Sequence, residues 1–441
     1  MRSRVALAAL LFLPLAAAAQ DLLQVYRDAK GYDAQYGAAR HALAAGLEKL
    51  PQGRAGVLPS LNLSANVTHS DIESQSKNPG TVPSFDREAR SRGYTFSLSQ
   101  PIFRKQNFLA YDQAEFQVKQ SEAAFGQAGQ DLVLRVAQAY FDVLAAEDTL
   151  ALVRAQKAAI SEQLAQAKRN FEVGTATITD THEAQARFDL AAAQEISAQN
   201  DLDTKTRALQ QITGKEYGAL KRLRPDVKLS GPNPAKMDEW VSLAEKQSFA
   251  VLQQEAVTEI AGLEAQRNRA GHYPTLDLVA SHNYTNQNAS TLASTGSRIT
   301  TNSIGLQLAM PLYAGGAISS REREAAANAE KSKQDLENAR RASALSTRQS
   351  YLAVISGIAQ VRALEQALVS SQSALDSNKL GYEVGVRINI DVLNAQQQLF
   401  STRRDLAVAR YNTITSHLRL KAAAGALREE DLEEVNRALQ P

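Results

Sequence analysis

The sequence predicts a mixed α and β membrane protein of two repeated halves, each a pair of strands followed by a long helix, a tight turn and a second helix. Three observations carry this. A long stretch of the chain returns at a nearly constant spacing; residues 102–224 and 312–440 contain no proline; and four segments outside those stretches alternate apolar with polar residues.

The N-terminus comes first. Arg2 and Arg4 form a positive n-region, Val5 to Leu15 an apolar run broken only by Pro14, and Ala16 to Ala19 offer small residues for cleavage. This pattern reads as a secretory signal peptide at residues 1–19, because the apolar run is shorter than the ~20 residues a spanning helix needs. The exported protein is expected to begin at Gln20 or immediately beside it. Mass spectrometry that found Met1 on envelope-bound protein would sink this reading. Beyond residue 19 no hydrophobic helix of spanning length is expected, so membrane insertion is expected to use strands.

The repeat is read from matching residues. Phe171-Glu172-Val173-Gly174 returns as Tyr382-Glu383-Val384-Gly385, and the same shift of 211 maps Asp180 to Asp391, Leu209 to Leu420 and Gly214 to Gly425. Pro101-Ile102-Phe103 returns as Pro311-Leu312-Tyr313 at 210, and Pro59-Ser60-Leu61 as Pro274-Thr275-Leu276 at 215. The small differences fall between strands, where loops absorb them.

Both proline-free stretches are rich in Ala, Gln, Leu, Glu, Lys and Arg, the strong helix formers. Apolar residues keep helical spacing, as in Leu132, Val136, Tyr140, Val143 and Leu144, or Val354, Ile358, Val361, Leu364 and Leu368. Each stretch is interrupted once, at Val173-Gly174-Thr175 or Val384-Gly385-Val386. The first helix, from about residue 104 to 171, would be roughly 100 Å long at ~1.5 Å per residue. Such alanine-rich faces with many Gln and Ser suit helices packed side by side around a wet interior.

The four other segments alternate with period two. Leu61, Leu63, Ala65 and Val67 interleave with Asn62, Ser64 and Asn66; Tyr94, Phe96 and Leu98 with Thr95, Ser97 and Ser99. Leu276, Leu278, Ala280 and Tyr284 interleave with Asp277, Ser281 and Asn283, with Val279 breaking the pattern, and Ile304, Leu306 and Leu308 with Ser303, Gly305 and Gln307. Hairpin links are expected at Asp71–Ser91 and Gln287–Thr300. A half-buried sheet of a soluble protein alternates in the same way. After an export signal the pattern favours lipid-facing strands, and four strands are too few to close a barrel, which needs about eight. Closure must then come from several subunits.

Composition excludes other classes. Without the signal peptide, 49 basic residues lose Arg2 and Arg4 and balance 47 acidic ones, which argues against nucleic acid. The absence of cysteine excludes disulfides, thiolate metal sites, a cysteine nucleophile and a lipidated cysteine. No two of the six histidines stand at i, i+4, and no phosphate loop or nucleophile elbow occurs, so neither an enzyme, a cofactor nor a metal is expected.

Ile178-Thr179-Asp180, Gln211-Ile212-Thr213-Gly214, Leu312-Tyr313-Ala314-Gly315-Gly316 and Asp391-Val392-Leu393-Asn394-Ala395, set in this duplicated order, resemble the TolC family of outer-membrane efflux and secretion channels. The resemblance runs from Leu22 to Leu432. It implies a homotrimer whose twelve-stranded barrel, from residues 59–103 and 273–313, sits in outer-membrane lipid. It implies an α-helical periplasmic tunnel from residues 20–58, 104–213, 235–272 and 314–425, and an equatorial belt from 214–234 and 426–441. It also implies opening at the periplasmic end by a periplasmic adaptor and an inner-membrane ABC or proton-driven translocase, with type I protein secretion or multidrug efflux as the task.

The residues the family would use lie at the turns. Gly174 and Gly385 supply the turns themselves, where glycine removes the penalty for φ > 0. By resemblance Thr179, Asp180, Tyr382 and Arg387 match a network that ties inner to outer helices when the channel is shut. Asp391 matches one of two aspartates at the constriction, and Asn394 stands in place of the second, so a trimer would carry three carboxylates there rather than six. Local sequence offers Asp180 and Asp391 a plainer role as N-caps, Asp180 forming a capping box with Glu183. Arg387 could be a solvated turn residue, and Tyr382 a packing residue, as Phe171 must be in the first copy. The rival from another class is a periplasmic adaptor, which has long hairpins and a signal peptide but lacks the duplicated strand–helix order.

Overall fold

The computed structural model describes residues 20–75, 77, 84–225, 227, 229–289 and 295–440. The expected signal peptide, and parts of both expected hairpin links, lie outside them. Three helices, α1 (Leu22–Tyr32), α2 (Ala34–Leu47) and α3 (Lys49–Ala55), precede strands β1 (Ser60–Ser74) and β2 (Phe85–Phe103). Helices α4 (Lys105–Glu172), α5 (Ile178–Thr213), α6 (Met237–Gln247) and α7 (Phe249–Arg269) follow. Strands β3 (Thr275–Gln287) and β4 (Ser297–Ala309) then lead to α8 (Ala317–Glu383), α9 (Asn389–Ala423) and α10 (Glu429–Arg437). The fold is mixed α and β and mostly helical. It divides into two compact units, one of residues 41–124 and 250–339, the other of residues 1–40, 125–249 and 340–441.

The first unit holds one antiparallel sheet in the order β1-β2-β3-β4. Its register puts Leu63 opposite Phe96, Tyr94 opposite Tyr284 and Leu278 opposite Leu306, which gathers the apolar residues on one face. That face is bare: Leu61 is 69 % exposed, Val67 85 % and Ile304 77 %. Apolar surface on this scale is tolerated only against lipid or another chain. The opposite face is polar and hydrogen-bonded, with Asn283 Nδ2 donating to Thr95 Oγ1 at 2.8 Å and the Ser281 and Ser303 hydroxyls 2.8 Å apart. Neither β1 nor β4 has a partner on its outer edge within the sheet order.

Two expectations need correction here. The link expected at Asp71–Ser91 is largely strand, since β1 runs to Ser74 and β2 starts at Phe85; likewise β4 starts at Ser297. Charged side chains mark where a strand is polar, but the ladder is made by backbone groups and continues through them. At the other end of β2 the pairing with β3 shifts between Pro101 and Phe103, where proline has no N–H to give.

Arg104, just before α4, grips Asp277 of β3 with both forks of its guanidinium, Nε to Oδ1 at 2.7 Å and Nη2 to Oδ2 at 2.6 Å. The Asp277 side chain is only 8 % exposed, so the pair fixes the start of α4 on the sheet. Within the same unit Gln113 of α4 donates to Glu264 of α7 at 2.9 Å, and Ser121 stands against Gly46, where a Cβ would collide with its hydroxyl.

The second unit is built around a core from α1 (Leu22, Val25), α4 (Leu132, Val136, Tyr140, Phe141, Leu144), α5 (Leu209), α9 (Ile414, Leu418) and α10 (Leu432). Tyr140 is fully buried, and its hydroxyl donates to the carbonyls of Gln20 and Lys221. Tyr351, its match in the repeat, donates instead to the Ala235 carbonyl, just ahead of α6. Residues 219–224 are stitched to both ends of the chain: Gln20 N–H donates to Ala219, Lys221 N–H to Gln20, Arg224 N–H to Ala438 and Gln440 N–H to Arg222.

One more expectation is overturned. Helix α8 does contain a stretch long and apolar enough to cross a membrane. Val354 and Ile358 of that helix are buried against Trp240, Ala244, Leu420 and Ala424, while only 17 % of the apolar stretch is buried within the described residues.

Candidate functional site at the helix turns

The two Val-Gly turns are superposable in their bonding. Thr175 N–H donates to Asn170 at 2.8 Å in one, and Val386 N–H to Gly381 at 2.8 Å in the other. Gly174 and Gly385 hold φ of +79° and +76°, a region closed to residues with a Cβ except at a cost of roughly 1 kcal/mol. The side chains of Val173, Val384, Val386 and Ile388 stand exposed around these turns.

The helix starts that follow differ. Thr177 caps α5 in a capping box with Asp180: the Asp180 N–H donates to Thr177 Oγ1, and the Thr177 N–H donates to Asp180 Oδ2 at 3.0 Å. Asp180 is therefore the third residue of the helix, closing the box, rather than its N-cap, and Glu183 is not its partner. Ile388 occupies the equivalent position before α9 and has no side-chain oxygen, so Asp391, in the first turn, is not an N-cap either. An aspartate there still faces the positive end of the helix dipole.

The four residues grouped by resemblance are split within one chain. Thr179 lies exposed on the first turn of α5, and Asp180 serves its own helix end. Tyr382 packs on Leu375, Val392 and Leu399, and its hydroxyl accepts from Asn170 Nδ2 at 3.2 Å. Arg387 folds its stem over Gly381 and reaches Asp391, Nη1 to Oδ2 at 3.7 Å. Asn394 Oδ1 accepts from Arg187 Nη2 at 3.0 Å.

Other residues of this region were not foreseen. The buried Asn389 accepts from Gln163 Nε2 at 2.6 Å, and Arg187 also donates to Gln397 Oε1 at 2.7 Å. The repeat held a usable signal. Asn389 stands where the first copy has Ile178, and Asn170 where the second has Gly381, so polar residues without a polar counterpart mark the cross-links of α4 to α8 and α9. Beneath them Ile160, Leu164, Ala167, Ala184, Ala191 and Leu393 close an apolar layer.

Among the described residues, His69, Asp71 and Glu88 bring one ligand atom each within 4.8 Å of one another on β1 and β2, all exposed. A cavity of about 330 Å³ lies among Val227, residues 229–233, α9 and α10. Its charges are paired, Lys421 Nζ standing 2.8 Å from Asp431 and 3.3 Å from Glu434, and burial holds the His417 imidazole below its ordinary pKa.

The model of the family described as outer membrane efflux protein matches residues 25–215 and 240–426. The chain belongs to that family. It is 34 % identical over 436 residues to the outer membrane protein TolC of Vibrio cholerae, covering 98 % of this chain and 97 % of that one. It is 36 % identical over 431 residues to the alkaline protease secretion protein AprF of Pseudomonas aeruginosa, covering 96 % and 88 %. The solved structure of the outer membrane protein VceC from Vibrio cholerae shares the fold, with a TM-score of 0.78 at 18 % identity over 92 % of this chain and 96 % of that one. This member of the outer membrane efflux family is accordingly an exit duct for type I secretion and efflux, located in the outer membrane of a Gram-negative cell and extending into the periplasm. The adaptor reading is not favoured, and the family and its structural neighbours are channels.

Proposed function

We propose that the chain works as a homotrimer of duplicated subunits. Three four-stranded sheets join β4 of one copy to β1 of the next in a twelve-stranded barrel, residues 59–103 and 273–313, within outer-membrane lipid. The observation that carries this is the sheet itself, which exposes much of its apolar face and leaves two outer edges to be satisfied. The helical segments 20–58, 104–213, 235–272 and 314–425 form a periplasmic tunnel, and 214–234 with 426–441 a belt around it.

In this reading the turns at Gly174 and Gly385 are the periplasmic end. Asp391, with Asn394 near it, lines the constriction, and Thr179, Asp180, Tyr382 and Arg387 tie the coils shut, contacts between Asp180 and Arg387 being made across neighbouring copies. The exposed Val173, Val384, Val386 and Ile388 offer an apolar rim on which a periplasmic adaptor can seat, with an inner-membrane ABC or proton-driven translocase behind it. Membrane fractionation tests the reading: an outer-membrane species of three chains, dissociated by heating before electrophoresis and conducting in planar bilayers, is the expected result. A monomer, or recovery in the inner membrane, would overturn it.

A further inference from the structure

Near the turns α5 and α9 pack through Ala184, Ala191 and Leu393. Further along they part around a cavity of about 560 Å³, lined by Gln156, Gln194, Asp201, Gln397, Phe400 and Arg404 among others. Arg187 stands beside the apolar layer, between Ala184 and Ala191 along α5. Its Nη1 donates to Gln397 Oε1 at 2.7 Å and its Nη2 to Asn394 Oδ1 at 3.0 Å, so one planar fork spans two amides a helical turn apart on α9. Gln397 both accepts from Arg187 and lines the cavity. The guanidinium thus adds a polar tie between α5 and α9 at the border between the apolar layer and the open space.

We propose that Arg187 is a positioning residue of the gate, latching α9 to α5 through Asn394 and Gln397. This rests on the channel reading above. Any opening that moves one coil past the other must break both bonds. Because both acceptors are neutral amides, the latch does not depend on the protonation of an acid. Lysine could not replace arginine fully, since a single ammonium lacks the fixed fork that reaches two acceptors. The latch also gives Asn394 a role of its own: an acceptor for Arg187, rather than a weakened copy of a pore acid.

The test measures conductance of the intact assembly in planar bilayers. Arg187→Ala should raise the open population about tenfold, with Arg187→Lys between it and the parent. Asn394→Asp should lower conductance below the parent by making the acceptor a carboxylate, and only while Arg187 is present; in an Arg187→Ala background it should not close the channel. Asn394→Ala, a smaller change, decides the matter if Arg187→Ala does not assemble. If Arg187→Ala and Asn394→Ala leave conductance at the parental level while Tyr382→Phe with Arg387→Ser raises it, the latch is wrong and the channel stands. If intact assemblies of every variant, the last pair included, fail to conduct, the channel reading falls and the latch with it.

Discussion

Replacing Arg135 with methionine will destabilise the helical unit by about 3 kcal/mol, the low end of the ~3–5 kcal/mol typical of breaking a buried ion pair. Arg135 Nη1 and Nη2 donate to Asp33 Oδ2 and Oδ1 at 2.8 and 2.9 Å, and the Asp33 side chain is only 6 % exposed. The low end applies because the Arg135 side chain itself keeps 32 % of its exposure. Asp33 also joins α1 to α2: its N–H donates to Ala29, and its Oδ1 accepts the Tyr36 N–H at 2.7 Å. Removing the arginine leaves a carboxylate desolvated between two helices.

The rescue separates charge from packing. Asp33→Asn placed on Arg135→Met removes the stranded charge yet keeps an oxygen for Tyr36, so most of the lost stability should return. Trp240, the single tryptophan, is buried in this unit and reports its unfolding by fluorescence. Acid gives a second readout. The Arg135 hydrogen bonds, opposed by burial, hold the Asp33 carboxyl below its ordinary 3.8. A depressed acid stabilises the folded state at pH above its unfolded value and loses that contribution as pH falls through the folded one. The parent should therefore lose stability more steeply below pH 3.8 than the double variant. Equal slopes, or no rescue, would show that the pair does not carry the effect.

Asp391→Asn is expected to raise the concentration of multivalent cations needed to block the channel from the periplasmic side by about tenfold. A ring of carboxylates in a narrow throat concentrates cations, and a change of ~1.4 kcal/mol in that attraction is a factor of ten. The structure refines what the sequence leads one to expect. Each Asp391 lies 3.7 Å from its own Arg387, so part of its field is already offset, and Arg387→Ser should strengthen block. Asn394→Asp doubles the acids on paper, but Arg187 at 3.0 Å would neutralise the newcomer, so the gain should be smaller than a bare second ring would give. Dose–response curves for block in planar bilayers measure all three. Block indifferent to Asp391→Asn and Arg387→Ser alike would place Asp391 outside the pore.

Local signals were readable and distant ones were not. Period two in Leu61 to Val67 or Ile304 to Leu308 marked strands and their apolar face, because alternation is a property of each strand alone. Where the ladder stopped was missed, since Asp71, Glu73, Asp86 and Glu88 look like loop residues yet pair in register through their backbones. The Val-Gly turns were visible because both copies repeat them. Asp180's choice of Thr177 over Glu183 was not, because it depends on which residue takes the cap.

What the sequence by itself determined is the type of each element and the place of the turns, both written in near neighbours. Only the tertiary structure decided which long side chains meet. Arg104 finds Asp277, Arg135 finds Asp33, Gln163 finds Asn389 and Arg187 finds Asn394, at separations of 173, 102, 226 and 207 residues. An arginine or an amide has no period that announces its partner. Its bond is selected by how helices and strands pack at that point, which is a property of the folded chain.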